Sequence, residues 1–79
     1  MENSNATTLD AVPLGSTVRV VAVNGGSRIT RRLMEMGVIP GVFVTPLKTA
    51  PFGDPLEIRV RGYSLALRQN EAVAIEVAG

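Results

Sequence analysis

Arg28, Arg31, Arg32 and Glu35 are the densest group of charged residues in the chain. At helical spacing they share one side, where guanidinium groups can meet an acidic surface or phosphates through charge-assisted hydrogen bonds. Glu35 lies three and four residues after Arg32 and Arg31, so the set also reads as a solvated face neutralised in part by its own carboxylate. Exposed pairs of that kind add little stability. The carboxylates Asp54, Glu57, Glu71 and Glu76 are scattered, as expected of residues that solubilise the outside of a sheet. The chain has no histidine and no cysteine. The usual ligands of zinc, copper and iron are therefore missing, together with the commonest general base. No metal site, cofactor or catalytic role is expected. Ser16, Ser27 and Ser64 have no histidine to activate them. Asn24-Gly25-Gly26-Ser27 precedes the helical stretch without the spacing of a phosphate loop, and reads as a turn plus a cap.

Eight basic and seven acidic residues leave a formal charge of +1, and there is no tryptophan. Nucleic-acid affinity rests mainly on phosphate neutralisation, so no nucleic-acid partner is expected. The length of 79 residues suits one domain. A domain of this size buries only about 60–65% of its unfolded surface, and no disulfide can staple it. The start, Met1 to Thr8, is polar and lacks the features of a secretory signal, so Asn5-Ala6-Thr7 reads as a chance sequon. No apolar run reaches the roughly 18–20 residues that span a bilayer. A cytoplasmic protein is expected, with a disordered tail over residues 1–8 and one domain over 9–79.

The elements that must position the arginines can be read in order. Thr17 to Val23 is β-branched and reads as a strand, ended by Asn24-Gly25-Gly26. Ser27 suits a helix N-cap. From Arg28 to Met36 the apolar residues Ile29, Leu33 and Met36 form an inward stripe. Gly37 takes the C′ position and Pro40 prevents resumption. Gly41 to Lys48 reads as a second strand, with Pro46 at an edge or a bulge. Such an edge would offer a site for self-association. Leu56, Ile58 and Val60 alternate strictly with charged residues, a half-buried strand. Gly62-Tyr63 turns the chain into Ser64 to Arg68. Arg68 to Glu71 holds one tight turn, and Val73, Ile75 and Val77 alternate in a last strand. Several one-faced strands with no second helix to cover an open sheet imply closure. The expected fold is mainly β: a small SH3-like barrel with a short α-helix inserted after the first strand.

Three further residues are candidates for contact with a partner. Met34 lies off the inward stripe, and beside Val38 it reads either as an adaptable apolar contact or as a rim residue covering the barrel. Phe52, between Pro51 and Pro55, reads equally as an exposed anchor or as a ring folded onto the barrel. Tyr63 reads as a packing residue with a wet hydroxyl. The candidate partner-binding set is Arg28, Arg31, Arg32, Met34, Glu35, Val38 and Phe52.

Four segments carry a family resemblance: Arg32-Leu33-Met34-Glu35-Met36-Gly37-Val38-Ile39-Pro40-Gly41, Ala50-Pro51-Phe52-Gly53-Asp54-Pro55-Leu56-Glu57-Ile58, Tyr63-Ser64-Leu65-Ala66-Leu67-Arg68, and Glu71-Ala72 through Val77. In order and spacing they resemble the ferrous-iron transport protein A (FeoA) family, with Pro46 as the clearest departure. The resemblance implies an SH3-like barrel and a cytoplasmic accessory of FeoB, a membrane iron importer with a cytosolic GTP-binding domain. It would reach the membrane only through that partner. FeoA-like domains also occur at the end of metal-responsive repressors. No DNA-binding region precedes the domain here, so the transport role is the expectation. Insertion of one arginine into the GTPase site is its sharper form. The rival reading is an SH3-like peptide- or nucleic-acid-binding module unrelated to transport.

Overall fold

Apolar residues that alternate with polar ones along each strand fall on one side of a single sheet. The computed structural model describes residues 7–79. Strand β1 (Thr7–Thr8) and a 3₁₀ turn (Leu9–Ala11) lead into β2 (Val18–Val23) and helix α1 (Gly26–Glu35). Then follow β3 (Phe43–Thr49), β4 (Leu56–Val60), β5 (Tyr63–Leu67), the one-turn helix α2 (Gln69–Ala72) and β6 (Ile75–Ala78). All pairings are antiparallel, in the order β1-β6-β2-β3-β4-β5. The mainly β class and the helix after the first long strand are as expected. Thr7 and Thr8, assigned to the tail by the sequence, instead pair with Val77 and Glu76. Residues 1–6, the rest of that tail, lie outside the described residues.

One apolar cluster fills the concave side. Val18, Val20, Val44, Ile58, Val60, Leu67, Ile75 and Val77 reach it from the sheet, and Leu9, Leu33 and Val38 from outside the sheet. Two irregularities bend the sheet, between Val20 and Ala22 on β2 and between Pro46 and Lys48 on β3. A bulge adds a residue to one strand and sharpens its coil, which lets a single sheet wrap a core. Pro46 stands at the second bulge with its ring buried. The β2–β3 pairing is confined to Val18–Val44 and Arg19–Phe43, so the missing N–H of Pro46 costs no ladder bond. Its carbonyl accepts the Gly15 N–H at 2.7 Å. The idea of a free edge at Pro46 does not hold, because β3 is an inner strand between β2 and β4. The edges belong to β1 and β5.

Helix α1 starts earlier than Ser27 suggested. Gly25 occupies the N-cap position without a side-chain cap, and Ser27 lies in the first turn. The reason is a close approach: a Cβ on Gly25 would meet Ile29 Cγ2 at 2.6 Å and Ala74 Cβ at 2.7 Å. Only glycine lets the helix start that near the turn carrying Ala74, just before β6. The far end matches the expectation. Gly37 has φ +93°, its N–H bonds the Met34 carbonyl at 3.0 Å, and the Val38 N–H bonds the Leu33 carbonyl at 2.9 Å. This is a Schellman closure, accompanied by the expected apolar contact between Leu33 and Val38 across the turn.

Candidate docking surface

Helix α1 turns Leu33 into the core and leaves Arg28, Arg31, Arg32, Met34 and Glu35 exposed on its outer side. A shallow depression of about 480 Å³ runs between Ser27, Arg28, Arg31, Arg32 and Glu35. It adjoins a more apolar one lined by Thr30 and Met34. Five of the seven residues singled out in the sequence are therefore brought together on one face. Met34 lies about half exposed at its apolar end.

The other two behave differently. Val38 is fully buried, so it cannot touch a partner and leaves the set. The Schellman turn that closes α1 directs it into the core beside Leu33, an outcome that sequence spacing beyond a helix end does not reveal. Phe52 is 97% exposed. Its loop is nonetheless well defined. Gly53 N–H bonds the Ala50 carbonyl at 2.8 Å and Ala50 N–H bonds the Pro55 carbonyl at 3.1 Å. The ring thus projects from a closed turn and does not fold onto the barrel.

Sequence reasoning missed one residue that organises this side of the molecule. Glu71 is buried, not a solubilising surface carboxylate. Its Oε1 accepts the Arg68 N–H at 2.9 Å, and its Oε2 lies 2.9 Å from Arg32 Nε. One carboxylate thereby caps α2 and ties α1 to it. Asp54 joins from the Phe52 loop by accepting the Gln69 N–H at 3.2 Å. Two acceptors from different segments therefore satisfy the first donors of a helix that has only one turn. The available signal was the glutamate three residues after Arg68, the spacing of a capping box. Between these groups lies a cleft of about 320 Å³, lined by Arg32, Asp54, Pro55, Ala66, Arg68 and Glu71. It connects the Phe52 loop with the helix face.

Tyr63, at the start of β5, reaches the C-terminal end of α1. Its hydroxyl donates to the carbonyl of Met36, an acceptor left over at the end of α1. Among the described residues no three histidine, cysteine or acidic side chains converge as metal ligands would. Among them, too, no helix is long and apolar enough to cross a membrane.

A coiled six-stranded antiparallel sheet with one helix inserted after its first long strand is an SH3-like architecture. The chain belongs to the FeoA domain family, whose model matches residues 7–79. It is 33% identical over 69 residues to the Fe(2+) transport protein A/Fe(2+) transporter FeoB fusion protein of Porphyromonas gingivalis, covering 87% of this chain and 8% of the relative. The chain thus spans under a tenth of that protein. Among solved structures it is similar to the FeoA-like protein of Clostridium acetobutylicum, with TM-score 0.85, 37% identity, and 95% and 87% of the two chains covered. It is also similar to FeoA of Stenotrophomonas maltophilia in complex with zinc, described as a procaryotic SH3 domain protein. There the TM-score is 0.79, the identity 33%, and the coverage 90% and 88%.

Proposed function

We propose that this domain is a cytoplasmic accessory of ferrous-iron import that docks on the cytosolic part of a FeoB-type transporter and carries out no chemistry of its own. The observation that supports this most is the fusion in Porphyromonas gingivalis, where a related domain and FeoB share one chain. A domain tethered to its target works at high effective concentration, and a separate chain must replace the tether with a binding surface. The outer face of α1 has the properties such a surface needs. Arg28 and Arg31 supply forked donors for carboxylates, Met34 supplies a deformable apolar contact, and the face stands on a helix anchored at both ends.

Iron is the cargo of the transporter and not a ligand of this domain. A chain without histidine or cysteine offers no imidazole or thiolate to a metal, the donors that bind ferrous iron most firmly in proteins. The test is co-purification of the domain with the cytosolic part of FeoB, alongside anaerobic ferrous uptake in a strain lacking the domain. The expected result is association and reduced uptake, with the double substitution Arg28→Glu, Arg31→Glu weakening association by about tenfold or more. Unchanged uptake without detectable association would remove the transport role. A salt-sensitive shift with RNA or DNA would favour the nucleic-acid rival.

A further inference from the structure

The edge strand β5 lacks the features that normally keep a sheet edge from pairing. Among the described residues β1, at the other edge, spans Thr7–Thr8. By contrast, β5 runs five residues, Tyr63–Leu67, in unbroken register with β4 and contains neither proline nor charge. Its hydrogen-bond directions follow from the hairpin. Arg61 and Gly62 both have positive φ, +52° and +87°, which makes a two-residue type I′ turn flanked by the pair Val60–Tyr63. The chain turns at these residues and not at Gly62-Tyr63. In such a hairpin the flanking pair is hydrogen-bonded and the next pair is not, so Tyr63, Leu65 and Leu67 bond to β4. The N–H and C=O of Ser64 and Ala66 then point away from the sheet. Both residues are exposed, and among the described residues no hydrogen bond takes up these groups.

The surroundings of this edge select by charge. Exposed arginines stand at its two ends, Arg61 before it and Arg68 after it. Two depressions reach Ala66: one adds Arg32, and the other is lined by Lys48 and Glu57, which pair with each other at 3.7 Å. The two carboxylates in the first are already engaged, Asp54 by the Gln69 N–H and Glu71 by the Arg68 N–H and Arg32. The ends of the edge thus offer cationic donors. A second copy is a poor occupant. Antiparallel pairing of two β5 strands about Leu65 would set Arg68 of each copy beside the Arg61–Gly62 turn of the other, like charge against like charge at both ends.

We infer that β5 is a strand-addition site for an extended peptide segment with a short uncharged centre and acidic residues at its ends. Ser64 and Ala66 bond the incoming backbone, while Arg61 at one end and Arg68 with Arg32 at the other hold its carboxylates. This goes beyond the transport reading and does not depend on it: the site is the β5 edge, which adjoins the α1 face only through Arg32, and its partner is defined by chemical class.

The probe is a capped hexapeptide with a Val-Thr-Val-Thr centre and a carboxylate at each end, added to the nitrogen-15-labelled domain. In the free protein the Ser64 and Ala66 amides should exchange with solvent faster than those of Leu65 and Leu67. The peptide should slow the first two by about tenfold or more, with shifts centred on β5. Ala66→Pro removes one outward donor while sparing the β4 pairing, and should abolish binding. The same peptide N-methylated at alternate residues should fail on the unaltered domain, which decides the point even if the proline variant does not fold. The pair Arg61→Asp, Arg68→Glu should exchange the preference for one favouring a peptide with lysine ends. Equal binding of acidic and basic peptides, or protection elsewhere than β5, would overturn the inference. So would protection that rises with protein concentration alone, which would assign the edge to a second copy.

Discussion

The C-terminal end of α1 and the Ala50–Pro55 loop each set apolar residues at a chain reversal, yet the two are held in different ways. At the helix end the inward groups are engaged across the fold. Val38 and Leu33 are buried together, Gly37 adopts the left-handed conformation, Tyr63 donates to the Met36 carbonyl, and Glu71 holds Arg32. In the loop, backbone bonds close the turn and Asp54 reaches α2, but Phe52 packs on nothing. The same reversal chemistry therefore yields an anchored support in one place and a free side chain in the other. What separates them is contact with residues far along the chain. A surface placed on the first region keeps its geometry when a partner arrives, whereas the second offers one large apolar group whose burial awaits something outside the described fold.

The largest disturbance of this contrast should come from Gly37→Ala. The substitution adds a Cβ at φ +93° that would lie 2.5 Å from the Tyr63 hydroxyl. Left-handed strain, with loss of the Tyr63 bond, should cost about 2–3 kcal/mol in urea unfolding. Repeating it in a Tyr63→Phe background should recover the steric part of the loss and leave the backbone part. Equal losses in both backgrounds would show that the hydroxyl does not constrain the site.

Glu71→Ala should come next, at about 1.5–2 kcal/mol, because a buried acceptor of the Arg68 N–H disappears. Arg32 is 62% exposed, so solvent screens the ion pair and its own share is small. Glu71→Gln keeps an acceptor for the Arg68 N–H and should cost less than about 1 kcal/mol. A loss as large as that of alanine would place the stability in the charge pair and not in the cap.

Phe52→Ala should be the mildest change to folding, within about 0.5 kcal/mol, since the ring has no packing to lose. A larger loss of stability would mean that the ring covers the barrel in solution and would erase the difference between the two regions.

Much of the fold could be read locally. Leu56, Ile58 and Val60 alternate as a strand must, and all three are buried. Gly37 with Pro40 marked the end of α1, and Pro46 marked an edge or a bulge, of which the structure shows the bulge, because the special backbone of glycine and proline restricts where each can stand. The candidate face on α1 was legible for the same reason: a period of 3.6 residues sorts Leu33 from Arg28, Arg31 and Arg32 without knowledge of the rest. Readings that depended on a distant neighbour went astray. Ser27 suited a cap, but the close approach of Gly25 to Ala74 starts the helix earlier. Val38 looked available and is buried, while Glu71 looked solvated and became the tie between two helices.

By itself, then, the sequence determined which side-chain types are at hand, which stretches extend or coil, and which side of each faces inward. Residue type and periodicity act within a few positions, and they suffice for that. Tertiary structure alone decided that Glu71 meets Arg32 across 39 positions of the chain, that Phe52 stays in solvent, and that β5 ends the sheet with the outward backbone groups of Ser64 and Ala66 facing solvent. Those outcomes depend on where segments distant in sequence come to rest, and no local preference of the backbone encodes that.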